Sequence, residues 1–153
     1  MNQDQADNVL NTQVPQHFAP GYVVPPLHRF VTQDVINEYA QVTGDFNPIH
    51  VDEEYSRTGP FGRTIAHGLM TLAYAAQMLN AWSDGAFDAS GELNVAFIGP
   101  VFVGETVELT AMVEALEERD GVLVARCTLN CTAADRKIMA GTVHQPVPQS
   151  KET

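Results

Sequence analysis

The sequence predicts an α+β domain in which an antiparallel sheet wraps around one central helix, at about residues 67–82. That segment is rich in Leu, Met and Ala and contains no Asp, Glu, Lys or Arg, and a helix that is apolar nearly all round is a buried helix. From residue 93 to residue 144, runs with partial apolar–polar alternation are separated by turn residues, which is typical of antiparallel strands. With 153 residues, 44% of them hydrophobic, the chain can form one domain with a substantial core.

The elements before the central helix are a short strand and one amphipathic helix. Residues 27–31 are predicted to form the strand, after two consecutive prolines. Thr32 is a suitable N-cap, and Asp34 in the first turn favours the helix dipole. The apolar positions between residues 35 and 42 fall roughly on one helix face, and Gly44 suits the position just past the helix end.

The remaining segments are predicted as two irregular stretches and a series of strands. Residues 45–66 follow neither the helical nor the strand period and contain two prolines and two glycines. A long irregular segment in a small domain is usually functional. Residues 83–91 are predicted as a loop. Asp120-Gly121 is a strong hairpin signal, and a second turn is expected at 134–136. The predicted strands are 93–98, 106–116, 122–132 and 137–144.

These elements predict a flexible leader over residues 1–20, one domain over 21–148 and a flexible tail over 149–153. Residues 1–20 contain neither Lys nor Arg and no long apolar run, so no secretory signal is expected. The sequence contains no run of about 18 apolar residues, so no membrane-spanning helix is expected either. Cys127 and Cys131 lie too far apart along one strand to form a disulfide. We therefore expect a cytoplasmic protein in which both cysteines act as small buried hydrophobic residues.

The charge balance excludes one class of partner. The chain carries 8 Lys and Arg against 19 Asp and Glu, a formal net charge of −11. Such a surface repels the phosphate backbone, so nucleic-acid binding is not expected. An anionic ligand would need a local basic cluster.

The segment Gly-Asp-Phe-Asn-Pro-Ile-His at 44–50 carries the clearest functional signal. It places the carboxylate of Asp45 and the imidazole of His50 five residues apart. Pro48 disfavours a regular helix across the gap, so we expect a shaped loop. Carboxylates and imidazoles are common acid–base groups, and a fixed pair of them can hold one water and move two protons.

Three stretches together resemble the MaoC-like (R)-specific enoyl-CoA hydratase and dehydratase family. They are Asp-x-Asn-Pro-x-His at 45–50, His-Gly at 67–68 and, more loosely, the Gly-Pro-Val-Phe-Val-Gly-Glu run at 99–105. The resemblance covers most of residues 30–145. It implies a hot-dog fold, in which the sheet wraps around a long helix, and usually a dimer; we expect a homodimer here. It further implies a lyase that hydrates a trans-2-enoyl-CoA to an (R)-3-hydroxyacyl-CoA, or catalyses the reverse dehydration.

The resemblance also implies a role for each motif residue. Asp45 and His50 would hold one water between them, so that addition is syn. The backbone N–H of Gly68, at the start of the central helix, would stabilise the enolate-like oxyanion. Asn47 and His67 would support the loop and the helix entrance. No cofactor is expected beyond the acyl-CoA substrate itself.

Four cations are candidates for the CoA phosphates, namely Arg57, Arg63, Arg136 and Lys137. Some family members carry a Ser nine residues after the His of the His-Gly pair, whereas this chain has Ala76. The polarity of the pocket and the preferred substrate can therefore differ from those of such relatives. A metal site built from His50, Asp52, Glu53 and His67 is conceivable, but the spacing matches no established ligand pattern, so no metal is expected.

Two alternative functions stay open at this point. A hot-dog acyl-CoA thioesterase would share the fold, but thioesterases typically place their carboxylate on the central helix, and residues 67–82 contain no Asp or Glu. An acyl-thioester-binding subunit of a heteromeric dehydratase would lack the acid–base residues that are present here. Acyl chain length, the choice between CoA and acyl-carrier protein, and the direction of the reaction stay undetermined.

Overall fold

The computed structural model describes residues 14–148. A single 3-10 turn, Gln16–Phe18, precedes the regular elements. The helices are α1 Gln33–Thr43, α2 Pro48–Val51, α3 Glu53–Arg57, α4 Gly68–Trp82 and α5 Ala86–Ser90. The strands are β1 Val23–Phe30, β2 Glu92–Phe97, β3 Thr106–Arg119, β4 Val122–Ala133 and β5 Arg136–Pro146.

The five strands form one antiparallel sheet in the order β1-β3-β4-β5-β2. Two tight turns set the register of its centre. The β3–β4 turn has positive φ at Asp120 and Gly121, and the β4–β5 turn has positive φ at Ala134 and Asp135. Positive φ at both central residues matches the twist of a two-residue hairpin. The predicted α+β class and both predicted hairpins are confirmed.

The helix α4 lies across the sheet with one face in the core. Its buried residues are Met70, Thr71, Ala75, Met78, Leu79 and Trp82. The opposite face is less covered than its apolar sequence suggests, since the side chain of Leu69 is 60% exposed in the single chain. Cys127 and Cys131 are buried and unpaired on β4, as predicted.

The strand β1 begins earlier than the sequence suggests. It starts at Val23 and runs through Pro25 and Pro26, with an irregular register between Val24 and Leu27. Proline removes a ladder hydrogen bond, but an edge strand has one side without a partner and tolerates it. The prediction of a strand only from residue 27 was therefore too short.

The irregular segments contain short helices that the sequence did not predict. Pro48 is the first residue of α2, where its missing N–H costs nothing, and Asn47 caps that helix by accepting from the N–H of Ile49 at 3.2 Å. The helices α3 and α5 lie inside the predicted loops as well. Each has only four or five residues, too few for a helical period to show in the sequence.

The predicted leader is partly wrong. Phe18 is buried and its ring lies 4.8 Å from that of Trp82, while the indole N–H of Trp82 donates to the carbonyl of His17 at 2.7 Å. Phe18 therefore anchors the segment at residues 14–20 to the core. Residues 1–13 and the tail at 149–153 lie outside the described residues. Within residues 14–148, no helix is long and apolar enough to cross a membrane.

Candidate active site

The predicted acid–base pair is brought together at one edge of the domain. Gly44 ends α1 in the left-handed conformation, with φ of 76°, and turns the chain so that Asp45 follows directly. Asp45 accepts a hydrogen bond from the backbone N–H of Asn47 at 3.2 Å, and its side chain is half exposed. His50 follows on α2 and is buried.

Hydrogen bonds to the backbone orient His50. Its Nδ1 lies 2.7 Å from the carbonyl oxygen of Ile65, and because a carbonyl oxygen only accepts, Nδ1 carries the proton. In the neutral ring, Nε2 then offers a lone pair. Burial lowers the pKa of His50 below its usual value of 6.5, outweighing the opposite effects of the Ile65 carbonyl and of Asp45. At neutral pH the ring is therefore uncharged and Nε2 can accept a proton.

The backbone of His50 is held by a residue that sequence reasoning missed. Gln33, the first residue of α1, donates to the carbonyl of His50 at 2.8 Å and accepts from the hydroxyl of Thr64 at 2.7 Å. Ser56 donates to the carbonyls of Pro48 and Ile49. These bonds join segments up to 31 residues apart, and no local sequence signal points to them.

The third predicted part, Gly68, lies at the first position of α4. The first N–H groups of a helix have no intrahelical acceptor and lie at the positive end of the dipole. A Cβ on Gly68 would lie 3.3 Å from the ring of Phe97, which packs over this helix start. Thr71, one turn further, donates to the carbonyl of Gly68 at 2.6 Å. The space beside the Cα of Gly68 is therefore narrow.

His50 and Gly68 face the same cavity, of about 310 Å³. Its remaining walls are mostly apolar, and Phe61, Ile98 and Val101 are among them. Ala76, where some relatives have Ser, is partly buried against the core and does not line this cavity.

A larger cavity of about 450 Å³ lies near the other end of α4, between its last turns and β1. None of Asp45, His50 and Gly68 lines it. Because His50 and Gly68 line the smaller cavity, that cavity and not the larger one is the candidate active site.

Metal binding can be judged from the geometry of the polar groups. Ligand atoms of Asp45, His50 and His67 lie within 4.8 Å of one another. However, the rings of His50 and His67 are stacked, with centroids 3.9 Å apart and planes at 27°. A ring nitrogen binds a metal in the plane of its ring, and two nearly parallel planes do not meet at one ion. Asp52 and Glu53 are turned elsewhere: Asp52 caps α3 and Glu53 pairs with Arg57.

The four predicted CoA-contact cations differ in how they are engaged. Arg136 forms a bidentate ion pair with Glu105, at 2.8 and 2.9 Å, and also donates to the carbonyl of Pro100. Arg57 pairs with Glu53 at 3.3 Å. The guanidinium of Arg63 stacks on the ring of Phe102 at 3.7 Å.

Neither Arg63 nor Lys137 has a carboxylate partner within 4.0 Å among residues 14–148. The charges of Arg63 and Lys137 are therefore not neutralised by an ion pair within the described residues. Arg136 instead bonds to both ends of the turn at 99–105.

Comparison with known protein families gives a match to the MaoC-like domain over residues 17–133. This chain belongs to the MaoC-like domain family. It is 36% identical over 124 residues to 3-hydroxybutyryl-CoA dehydratase of Methylorubrum extorquens, covering 79% of this chain and 75% of that protein. It is 29% identical to the (R)-specific enoyl-CoA hydratase of Rhodospirillum rubrum, over 80% of this chain and 83% of the relative.

Among solved structures, the (R)-hydratase from A. caviae involved in PHA biosynthesis superposes with a TM-score of 0.75. That match covers 88% of this chain and 100% of the other at 24% identity, so it bears on the fold alone. The resemblance to the MaoC-like family and the hot-dog fold that it implied are confirmed.

Proposed function

We propose that this MaoC-like chain is a hydro-lyase that adds water to a trans-2-enoyl-CoA to form an (R)-3-hydroxyacyl-CoA, or removes it in the reverse direction. One observation carries the proposal: His50 and Gly68, at the start of a helix, line the same cavity, and the carboxylate of Asp45 lies within 4.8 Å of an imidazole nitrogen of His50. Water addition changes no overall oxidation state, so the proposed reaction needs no redox cofactor.

The proposed reaction begins with one water between the carboxylate of Asp45 and Nε2 of His50. The water oxygen bonds to Cβ while its proton passes to Nε2, and the electron pair of the double bond moves to the thioester oxygen. The N–H of Gly68 donates to that developing oxyanion. When the enolate collapses, imidazolium returns a proton to Cα and His50 is neutral again. Because one water serves both carbons from one face, addition is syn.

The thioester carrier would be recognised by its phosphates. Of the four candidate cations, we propose Arg63 as the principal contact and Lys137 as a second. Arg63 stands on the segment between Phe61 and Ile65, both of which line the cavity, and its charge is not neutralised by a neighbouring carboxylate. Arg57 is a weaker candidate because Glu53 pairs with it.

The carrier contact is tested with two substrates that share the acyl group. Arg63→Ala should raise KM for crotonyl-CoA about tenfold, since one charged hydrogen bond is lost, and should leave KM for crotonyl-pantetheine, which lacks the CoA phosphates, within about twofold. Arg119→Ala, at the far end of β3, is the matched control. An equal rise in KM for both substrates would place Arg63 away from the phosphates.

We further propose a homodimer formed along β2. This strand is at one edge of the sheet, and an exposed edge is a template for pairing with another chain. Phe97 and Ile98 are about half exposed there and also line the cavity, so a second copy would cover its mouth. Native mass spectrometry should give twice the mass of one chain; a monomer with full activity would contradict this proposal.

The activity itself is tested by following enoyl-thioester absorbance and free thiol in one reaction. With a panel of trans-2-enoyl-CoA substrates of different lengths, absorbance should fall while no free thiol appears. Asp45→Asn and His50→Ala should each remove nearly all of this activity. Thiol release would favour the thioesterase, and inactivity of the native dimer on every enoyl and hydroxyacyl substrate would refute the hydro-lyase.

A further inference from the structure

His67 occupies the junction of the three parts of the proposed site. Its side chain is only 2% exposed. The ring of His67 lies next to the ring of Tyr39, with centroids 4.8 Å apart. It also stacks on the ring of His50, with centroids 3.9 Å apart. His67 also directly precedes Gly68 as the N-cap of α4, yet it makes no side-chain capping bond to that helix. Capping therefore does not explain why a polar ring is buried here.

The hydrogen bonds of His67 define its tautomer. Its Nε2 lies 3.0 Å from the backbone carbonyl oxygen of Asp45 and 4.0 Å from the Oδ2 atom of the same residue. Because the carbonyl only accepts, Nε2 is the protonated nitrogen. The buried Nδ1 has no hydrogen-bond partner among the described residues. A buried polar atom without a protein partner costs free energy, so the burial of this ring calls for an explanation beyond its own packing.

We propose that His67 is a positioning residue that sets Asp45 and His50 against the same water. Its Nε2–H holds the backbone of Asp45, and its ring face holds the plane of His50. The inference rests on the proposed function, because it concerns the geometry of that reaction. It goes beyond general support of the helix entrance by assigning a separate task to the donor and to the ring.

Each catalytic side chain needs this second restraint. The carboxylate of Asp45 is half exposed, and within the described residues its hydrogen bond comes from Asn47, two residues along the same loop. His50 is anchored at Nδ1 by Ile65, but a single bond leaves the ring free to tilt about that contact. The stack on His67 restricts the tilt. Misplacing reacting groups by about 1 Å can cost about 100-fold in rate.

Two substitutions separate the donor from the ring. His67→Phe keeps a stacking ring but removes the N–H, whereas His67→Gln keeps an amide N–H and removes the ring. We expect each to lower kcat about tenfold and His67→Ala to lower it about 100-fold, with KM for crotonyl-CoA within about threefold. His28→Gln, an exposed histidine on β1, is the control and should behave as wild type.

The split between kcat and KM distinguishes positioning from a general structural role. Thermal unfolding of each variant identifies those that are folded at the assay temperature, and only these are compared. Full kcat in folded His67→Ala would overturn the proposal. So would Phe and Gln variants that both lose as much activity as Ala, because then neither the ring nor the donor would act separately.

Nitrogen NMR of the imidazole rings tests the same arrangement without any substrate. In the folded wild-type chain, His67 should be protonated at Nε2 and His50 at Nδ1, and the His50 resonances should shift in His67→Gln, where the ring is gone. Observation of His67 with its proton on Nδ1 would overturn the proposal even if the hydratase activity is present. If instead no enoyl thioester is hydrated but both tautomers are as expected, the proposed function fails while the contacts of His67 stand.

Discussion

Replacing Gly68 by Ala should separate stability from catalysis at this site. A Cβ at this position would lie 3.3 and 3.4 Å from two atoms of the Phe97 ring, closer than ordinary contact by a few tenths of an ångström. The ring is half exposed at the end of β2 and can shift by that amount. Alanine also favours the helix over glycine by up to about 1 kcal/mol. We expect the free energy of unfolding to change by no more than about 1 kcal/mol.

The effect of Gly68→Ala on the reaction should be much larger. The oxyanion must come within about 2.7–3.1 Å of the N–H that stabilises it. Alanine keeps this N–H, but its methyl group on the adjacent Cα, packed against Phe97, would hinder so close an approach. Loss of one oxyanion donor costs about 2.7–4 kcal/mol, which is about 100- to 1,000-fold in kcat.

Steady-state hydration of crotonyl-CoA measures this effect, with denaturant unfolding run on the same preparations. Gly59→Ala is the matched control. As at Gly68, an added Cβ would have its nearest neighbour at 3.3 Å, but Gly59 does not line the cavity. A folded Gly68→Ala variant with wild-type kcat would show that the thioester oxygen does not approach Gly68 closely enough to need a glycine there.

Four further predictions follow from the charges and the burial of individual groups. Asp45→Asn keeps an oxygen that can accept the existing loop hydrogen bond but loses the charge, so kcat should fall by about 100- to 10,000-fold while the melting temperature barely changes. Because burial lowers the pKa of His50, the midpoint of the fall in kcat/KM on the acid side should lie below pH 6.5; a midpoint at or above pH 6.5 would contradict the buried, neutral ring. Burial raises the pKa of Cys127 and Cys131 to about 12, so iodoacetamide should label neither in the native chain and both after unfolding. Arg136→Ala should lower the free energy of unfolding by about 1–3 kcal/mol, measured in urea, because the largely buried carboxylate of Glu105 loses its partner. An unchanged urea midpoint would contradict this structural role and make Arg136 a candidate for CoA binding again.

Local sequence signals were sufficient for the parts of the site that are continuous in the chain. Asp45 and His50 were predicted because they share one motif, and Gly68 because it belongs to the His-Gly pair on which the family resemblance rests. The cap at Thr32 and the stop at Gly44 were predicted for the same reason, since each depends on residues within one helical turn.

The contacts that set the geometry of the site are not local, and the sequence did not reveal them. The stack of His50 on His67 and the bonds of Gln33 join residues 17 to 31 positions apart. The strand through Pro25-Pro26 was shortened in the prediction because proline disfavours strands in general, whereas only the sheet order shows that β1 is an edge. Cytoplasmic localisation stays a prediction.

The stereochemistry of hydration in D2O tests the central claim most directly. If Asp45 and His50 hold one water on one face of a thioester whose oxygen is bound at Gly68, both new bonds form on the same face. Crotonyl-CoA should then give a single 3-hydroxybutyryl-CoA diastereomer, with the (R) configuration at C3 and one deuterium at C2 added syn. Anti addition, or a mixture of diastereomers formed at the initial rate, would contradict a single shared water.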